Sequence, residues 1–203
     1  TIAVYNQKGG VGKTTSAVNL AAGLSLLGIP TLLVDLDPQA NASSAVGIEQ
    51  VAGKSLYGPL RGEGLAETFL VETKTKNLWL IPSETDLAAL ETELMQQEGY
   101  LLRLKAILAP IEEKKRFKVI LIDCPPSLGL LSMNGLVAAQ KLIIPLQCEY
   151  LAMEGLGPVL RVMEQLKQLN PSLELMGVLM TMFDVRTRLS KQVIAEVDKY
   201  LEN

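Results

Sequence analysis

Asn6-Gln7-Lys8-Gly9-Gly10-Val11-Gly12-Lys13-Thr14-Thr15 is the stretch from which the rest of the chain can be read. The short aliphatic run before it, Ile2-Ala3-Val4-Tyr5, has the pattern of a strand buried on both faces. Behind it, Val18, Leu20, Ala21 and Leu24 are spaced for a helix packed on a sheet. Strand, glycine-rich turn and a helix opening at Gly-Lys-Thr are together the setting of a phosphate-binding loop. Glycines let backbone N–H groups converge on a phosphate, and the helix N-terminus adds partial positive charge there. Lys13 can then reach the β- and γ-phosphates, and the Thr14 hydroxyl can sit on magnesium. One position departs from the usual pattern. Gln7 stands where the first glycine belongs, and a second lysine, Lys8, opens the loop.

The 203 residues fit one α/β domain, with 48% hydrophobic residues but only 4% aromatic ones, so aliphatic side chains must fill the core. Nineteen basic against 22 acidic residues leave a formal charge of −3, which makes no global electrostatic case for nucleic acid or an anionic membrane. No apolar run approaches the length of a membrane span. Cys124 and Cys148 read as buried thiols rather than a disulfide. Histidine is absent, so the chemistry must run on carboxylates, lysines and a bound ion.

Gly28-Ile29-Pro30 stops the first helix, and Thr31 to Asp35 reads as a second buried strand. Asp35 and Asp37 lie at its carboxyl end, where open α/β sheets bind ligands. Residues 41–47 read as a loop or short helix, and 53–75 has too weak a period to assign. Leu78 to Pro82 is a strand, Thr85 to Met95 a helix, and Tyr100 to Leu108 a helix ended by Pro110. Trp79 reads as core, and the basic run Lys114 to Lys118 as a solvated connection. Val119 to Asp123 is an apolar strand ending in an acid, which puts Asp123 near the magnesium site. Helices over 130–139, 153–169 and 190–201 alternate with strands over 142–146 and 176–181. The expected fold is a doubly wound, mainly parallel sheet flanked by helices.

Four blocks carry a resemblance to a known family: Lys8 to Thr15, Leu33-Val34-Asp35-Leu36-Asp37-Pro38-Gln39, Ile122-Asp123-Cys124-Pro125-Pro126-Ser127, and Thr181-Met182-Phe183-Asp184-Val185-Arg186-Thr187. Together they resemble the ParA/MinD superfamily of deviant phosphate-loop ATPases, and most of all its ParA/Soj partitioning branch. The resemblance implies a single ATPase domain over 1–203, cut short at its C-terminus. It implies ATP and Mg²⁺ as ligands, with Lys8, Gly9, Gly10, Val11, Gly12, Lys13, Thr14 and Thr15 around the phosphates. Thr14 and, through water, Asp123 would hold the metal. Asp37 would orient the attacking water, and Lys8 would reach the phosphates of a second copy, parallel to an arginine finger. Met182 would lie by the adenine, although packing explains it as well. Arg186 would contact DNA, against the alternative that it pairs with Asp184 on a solvated loop.

The implied partners are a second copy in the ATP state, nonspecific DNA and a ParB-type stimulating protein, with no membrane, at a cytoplasmic, nucleoid-associated location. Three other readings share the loop. A MinD-like membrane-positioning ATPase needs a basic amphipathic C-terminal helix, whereas 190–201 mixes Lys191 and Lys199 with Glu196 and Asp198. A dethiobiotin-synthetase-like ligase would pass phosphate to a carboxylated small molecule. A nitrogenase-iron-protein-like reductase needs two cluster cysteines, and here Cys124 follows Asp123 directly.

Overall fold

Residues buried on both faces set the central strands. The computed structural model, which describes residues 1–149 and 152–201, places a seven-stranded sheet between two helical layers. In chain order the elements are β1 (Ile2–Val4), α1 (Lys13–Leu26), β2 (Thr31–Asp35), α2 (Asn41–Ala45), α3 (Tyr57–Arg61), β3 (Val71–Glu72), β4 (Leu78–Ile81) and α4 (Leu90–Glu93). They continue with α5 (Arg103–Glu113), β5 (Val119–Asp123), α6 (Leu130–Ala138), β6 (Lys141–Gln147), α7 (Ala152–Leu166), β7 (Glu174–Thr181) and α8 (Arg188–Leu201). The strand order is β3-β4-β2-β5-β1-β6-β7. Every pair is parallel except β3 with β4.

The core divides by strand face. Val4, Leu33 and Leu121 pack with Ala17 and Ala21 of α1. Leu32, Val34, Ile120 and Ile122 face the other way, into a layer with Leu104, Leu108, Leu136 and Val159. Each such side chain contributes about 1.5–3 kcal/mol on burial, enough to hold a sheet with few aromatics. The chain order reverses at β1, which lies between β5 and β6, so the crevice above the carboxyl ends of β1 and β5 is the switch point.

Local signals fail in three places. Pro110 does not end a helix: α5 runs through it to Glu113, because Leu104, Leu108 and Ile111 are buried and packing outweighs the lost hydrogen bond. The expected helix over Thr85 to Met95 is a 3₁₀ segment (Thr85–Ala89) followed by the single turn of α4, with Leu87, Leu90 and Leu94 buried. Within 53–75, β3 is only two residues long and pairs antiparallel at the sheet edge, too short for any periodicity.

Elsewhere the helices and strands fall within a few residues of expectation, with Tyr100–Leu102 a 3₁₀ turn ahead of α5 and α7 ending at Leu166 rather than at 169. Gly28, at φ 83°, closes α1 with the N–H of Ile29 donating to Leu24 O at 3.1 Å. Trp79 is partly buried edge-on to Phe117 at 5.3 Å, and the exposed Arg116 guanidinium lies 4.7 Å over its ring. Both cysteines are buried and free. Among the described residues no helix is long and apolar enough to cross a membrane.

Candidate functional site

The loop between β1 and α1 is held from both ends. Asn6 is fully buried where β1 stops. Its Nδ2 donates to Pro145 O at 2.8 Å, and its Oδ1 accepts from the N–H of Lys8 at 3.0 Å. At the other end the Thr181 hydroxyl donates to Val11 O at 2.8 Å. Val11 is itself buried, so its side chain anchors the loop while Gly9 and Gly10 stay exposed. Gly10 at φ 75° and Gly12 at φ 88° lie in the left-handed region, where any other residue is strained. Thr14 is half-buried and Thr15 exposed in the first turn of α1.

Lys13 folds back over this loop. Its Nζ donates to Lys8 O at 2.9 Å, and the residue is only 7% exposed. Burial lowers its pKa, while Asp123 and Asp37 nearby pull it upward. The cation is thus held against the loop and facing two carboxylates.

Two acids, Asp123 and Asp37, act on Lys13, and Asp35 stands next to Asp123. Asp123 ends β5 in register with Val4 of β1 and with Asp35 of β2. It is fully buried, and neither carboxylate oxygen has a hydrogen-bond partner among the described residues. Burial raises its pKa to about 7, reinforced by Asp35 and Asp37 and opposed by Lys13 and by the Thr14 hydroxyl beside it. Asp35, equally buried, is pushed up to about 6, chiefly by burial and against the pull of its hydrogen bonds to Ser43. Asp37 sits in the turn beyond β2, 8% exposed, and its Oδ1 accepts from the N–H of Gln39 at 2.9 Å. The N–H of Leu36 donates to Asp123 O at 3.0 Å, tying this turn to the end of β5.

The remaining candidates lie further out. Lys8 is half-exposed and pairs with Glu149 at 3.6 Å, on the same chain. Met182 follows β7 at φ 53° and is 61% exposed. Arg186 is 85% exposed at its side chain and forms a two-pronged pair with Asp184, Nε to Oδ1 at 2.9 Å and Nη2 to Oδ2 at 2.7 Å. The local pairing is therefore the arrangement observed. Asn6, Thr181 and Ser43 were not singled out by sequence reasoning. A polar residue at the end of an otherwise apolar strand is the signal that Asn6 offered.

A family profile described as an AAA domain matches residues 1–175. The chromosome-partitioning ATPase Soj of Treponema pallidum (strain Nichols) is 47% identical over 201 residues, which cover 98% of this chain and 78% of that protein. The chain belongs to the ParA/Soj family of partitioning ATPases. The sporulation initiation inhibitor protein Soj of Bacillus subtilis (strain 168) is 46% identical, over 100% of this chain and 80% of its own. A crystal structure of cobyrinic acid a,c-diamide synthase from Mycobacterium smegmatis with bound ADP and magnesium shares the fold at a TM-score of 0.91. It is 41% identical, with 98% of this chain and 80% of that chain covered. The family carries the phosphate-loop fold and ATPase activity that the loop and the acid-ended strands announce.

Proposed function

We propose that this chain is an ATP-driven switch that dimerises on ATP, binds DNA without sequence preference, and is reset when a ParB-type partner stimulates hydrolysis. The observation that carries the reading is the Asp123 carboxylate: wholly buried, without a hydrogen-bond partner among the described residues, beside the Thr14 hydroxyl and Lys13. A buried acid left unsatisfied costs several kcal/mol unless a cation or a proton completes it. Magnesium fits. Thr14 through its hydroxyl and Asp123 through water would hold it, and the ion supplies charge neutralisation at the β- and γ-phosphates.

The chain's own residues do the rest. Backbone N–H groups from Gly9 to Thr15 cradle the phosphates. Lys13 exchanges the Lys8 carbonyl for a phosphate oxygen. Asp37 has Oδ2 free of hydrogen bonds among the described residues, so it can accept from and orient the attacking water. The exposed Lys8 side chain leaves a weak pairing with Glu149 to reach the phosphates of a second copy. In that state the protein works at the nucleoid in the cytoplasm.

The test is hydrolysis of ATP by the purified chain with magnesium and no organic acceptor, with and without DNA. Turnover that requires a carboxylated small molecule would favour the ligase reading and sink this one. Loss of nucleotide binding in Lys13→Ala, read by calorimetric titration, checks the cradle itself.

A further inference from the structure

Asp35 has no part in the reading so far, yet its carboxylate is the best-satisfied acid of the site. Its Oδ2 accepts from both the N–H and the hydroxyl of Ser43, each at 2.7 Å, and its Oδ1 accepts from the N–H of Asp37 at 3.3 Å. Ser43 lies in α2, and its hydroxyl oxygen also accepts from the N–H of Ser83 at 3.3 Å, just beyond β4. A single carboxylate thus joins the end of its own strand, the Asp37 turn, α2 and the neighbouring strand. Both oxygens are occupied by protein donors, so Asp35 is not free to hold an ion. In this it is the opposite of Asp123.

The turn that it fastens is strained. Ala40 has φ 49° and ψ 36°, in the left-handed region, and is fully buried. Such a residue costs about 1–3 kcal/mol and persists only where its surroundings over-determine it. Here the N–H of Ala40 donates to Asp37 O at 2.8 Å and the N–H of Ser44 donates to Ala40 O at 3.0 Å. The segment from Asp37 to Ser44 is therefore clamped at Asp37 by one Asp35 oxygen and at Ser43 by the other.

We propose that Asp35 is a positioning residue for hydrolysis: by clamping Ser43 and the Asp37 backbone it fixes where the Asp37 carboxylate points. The inference rests on the reading of Asp37 as the group that orients water. A misplacement of about 1 Å at a reacting group costs on the order of 10²-fold in rate, so a clamp of this kind can govern turnover without touching substrate. ATP affinity is supplied by the β1–α1 loop and should be nearly indifferent to it.

Asp35→Asn preserves shape but offers one acceptor oxygen in place of two, so it cannot satisfy Ser43 and the Asp37 N–H together. Ser43→Ala removes only the hydroxyl arm and leaves Asp35 intact. Single-turnover hydrolysis at saturating MgATP should fall on the order of 10²-fold in Asp35→Asn and about tenfold in Ser43→Ala, with ATP dissociation constants within about twofold of the parent. Wild-type turnover in both variants overturns the proposal. So does a parallel loss of affinity and rate, which would mean that the site had merely collapsed. Asp37→Ala is measured alongside. If it hydrolyses at the parental rate, the reading of Asp37 fails, and this inference fails with it. If it is inactive while Asp35→Asn and Ser43→Ala are normal, the clamp alone fails.

Discussion

Asp35 and Asp123 occupy matched register positions on adjacent strands, and among the described residues only Asp35 of the two finds hydrogen-bond donors. Two buried acids a strand apart therefore have different tasks. One is spent on structure, and the other is the acid that the proposed function sets beside a cation.

The Asp123 carboxylate has a pH signature in the nucleotide-free protein. Asp123 titrates at about 7 in the folded state against an ordinary value of 3.8. Between those values the unfolded chain releases its proton while the folded chain keeps it, so stability falls as pH rises through this window. Below it nothing is lost, and above it the full penalty, at most about 4 kcal/mol, is present. In chelator, Asp123→Asn should therefore melt several degrees higher than the parent at pH 8, with the gap closing only as the pH falls to about 4. Matching profiles for the two proteins across that range would show that Asp123 carries no such penalty.

The two loop lysines should separate cleanly. Lys13 is buried against the loop, whereas the Lys8–Glu149 pair is largely exposed and worth no more than about 1 kcal/mol. Lys13→Ala should abolish ATP binding in a calorimetric titration. Lys8→Ala should bind nearly as the parent yet neither dimerise nor hydrolyse. Equal failure of both variants to bind ATP would remove the role in a second copy assigned to Lys8.

Asp37→Ala should leave the phosphate cradle intact and trap an ATP-bound dimer. Light scattering after size exclusion, with and without MgATP, reads this directly. A variant that stayed monomeric at saturating nucleotide would contradict the switch.

Arg186 is committed to Asp184, so its availability to DNA depends on exchanging that partner. In the ATP dimer, Arg186→Ala should flatten the log–log salt dependence of DNA binding by two contacts, about 0.9 each. Asp184→Asn should strengthen binding by freeing the same guanidinium. No change in either variant by filter binding would place the DNA surface elsewhere.

Helix α6 carries a steric prediction. A Cβ on Gly135 would stand 2.7 Å from the Cys124 sulfur and 3.3 Å from Leu36, with no space between α6 and the segments that follow β5 and β2. Gly135→Ala should cost about 1–3 kcal/mol in urea unfolding through overpacking. A neutral result would mean that α6 shifts freely.

Much of this was legible along the chain. The β1–α1 loop, the strands ending in Asp35 and Asp123 and the glycine stop after α1 are written in stretches of four to ten residues, where backbone preference and apolar period agree. The turn at Asp37-Pro38-Gln39 was visible for the same reason. Arg186 and Asp184 are two residues apart, so their pairing could be named in advance as an alternative. What the sequence by itself determined was thus the parallel-sheet fold and the ATPase family with its ATP and magnesium.

The tertiary structure decided which polar groups are left over. Pro145 meets Asn6 and Thr181 meets Val11 only because β6 and β7 line up beyond β1, across separations of 139 and 170 residues. Asp35 and Asp123 end similar apolar runs, and nothing local distinguishes them. Their difference comes from α2 folding back to bring Ser43 onto Asp35, while among the described residues Asp123 has only the Thr14 hydroxyl beside it and no donor in hydrogen-bonding geometry. Hydrogen-bond satisfaction of a buried group is set by whichever elements the crossovers bring next to it. Short-range pattern carries no record of that.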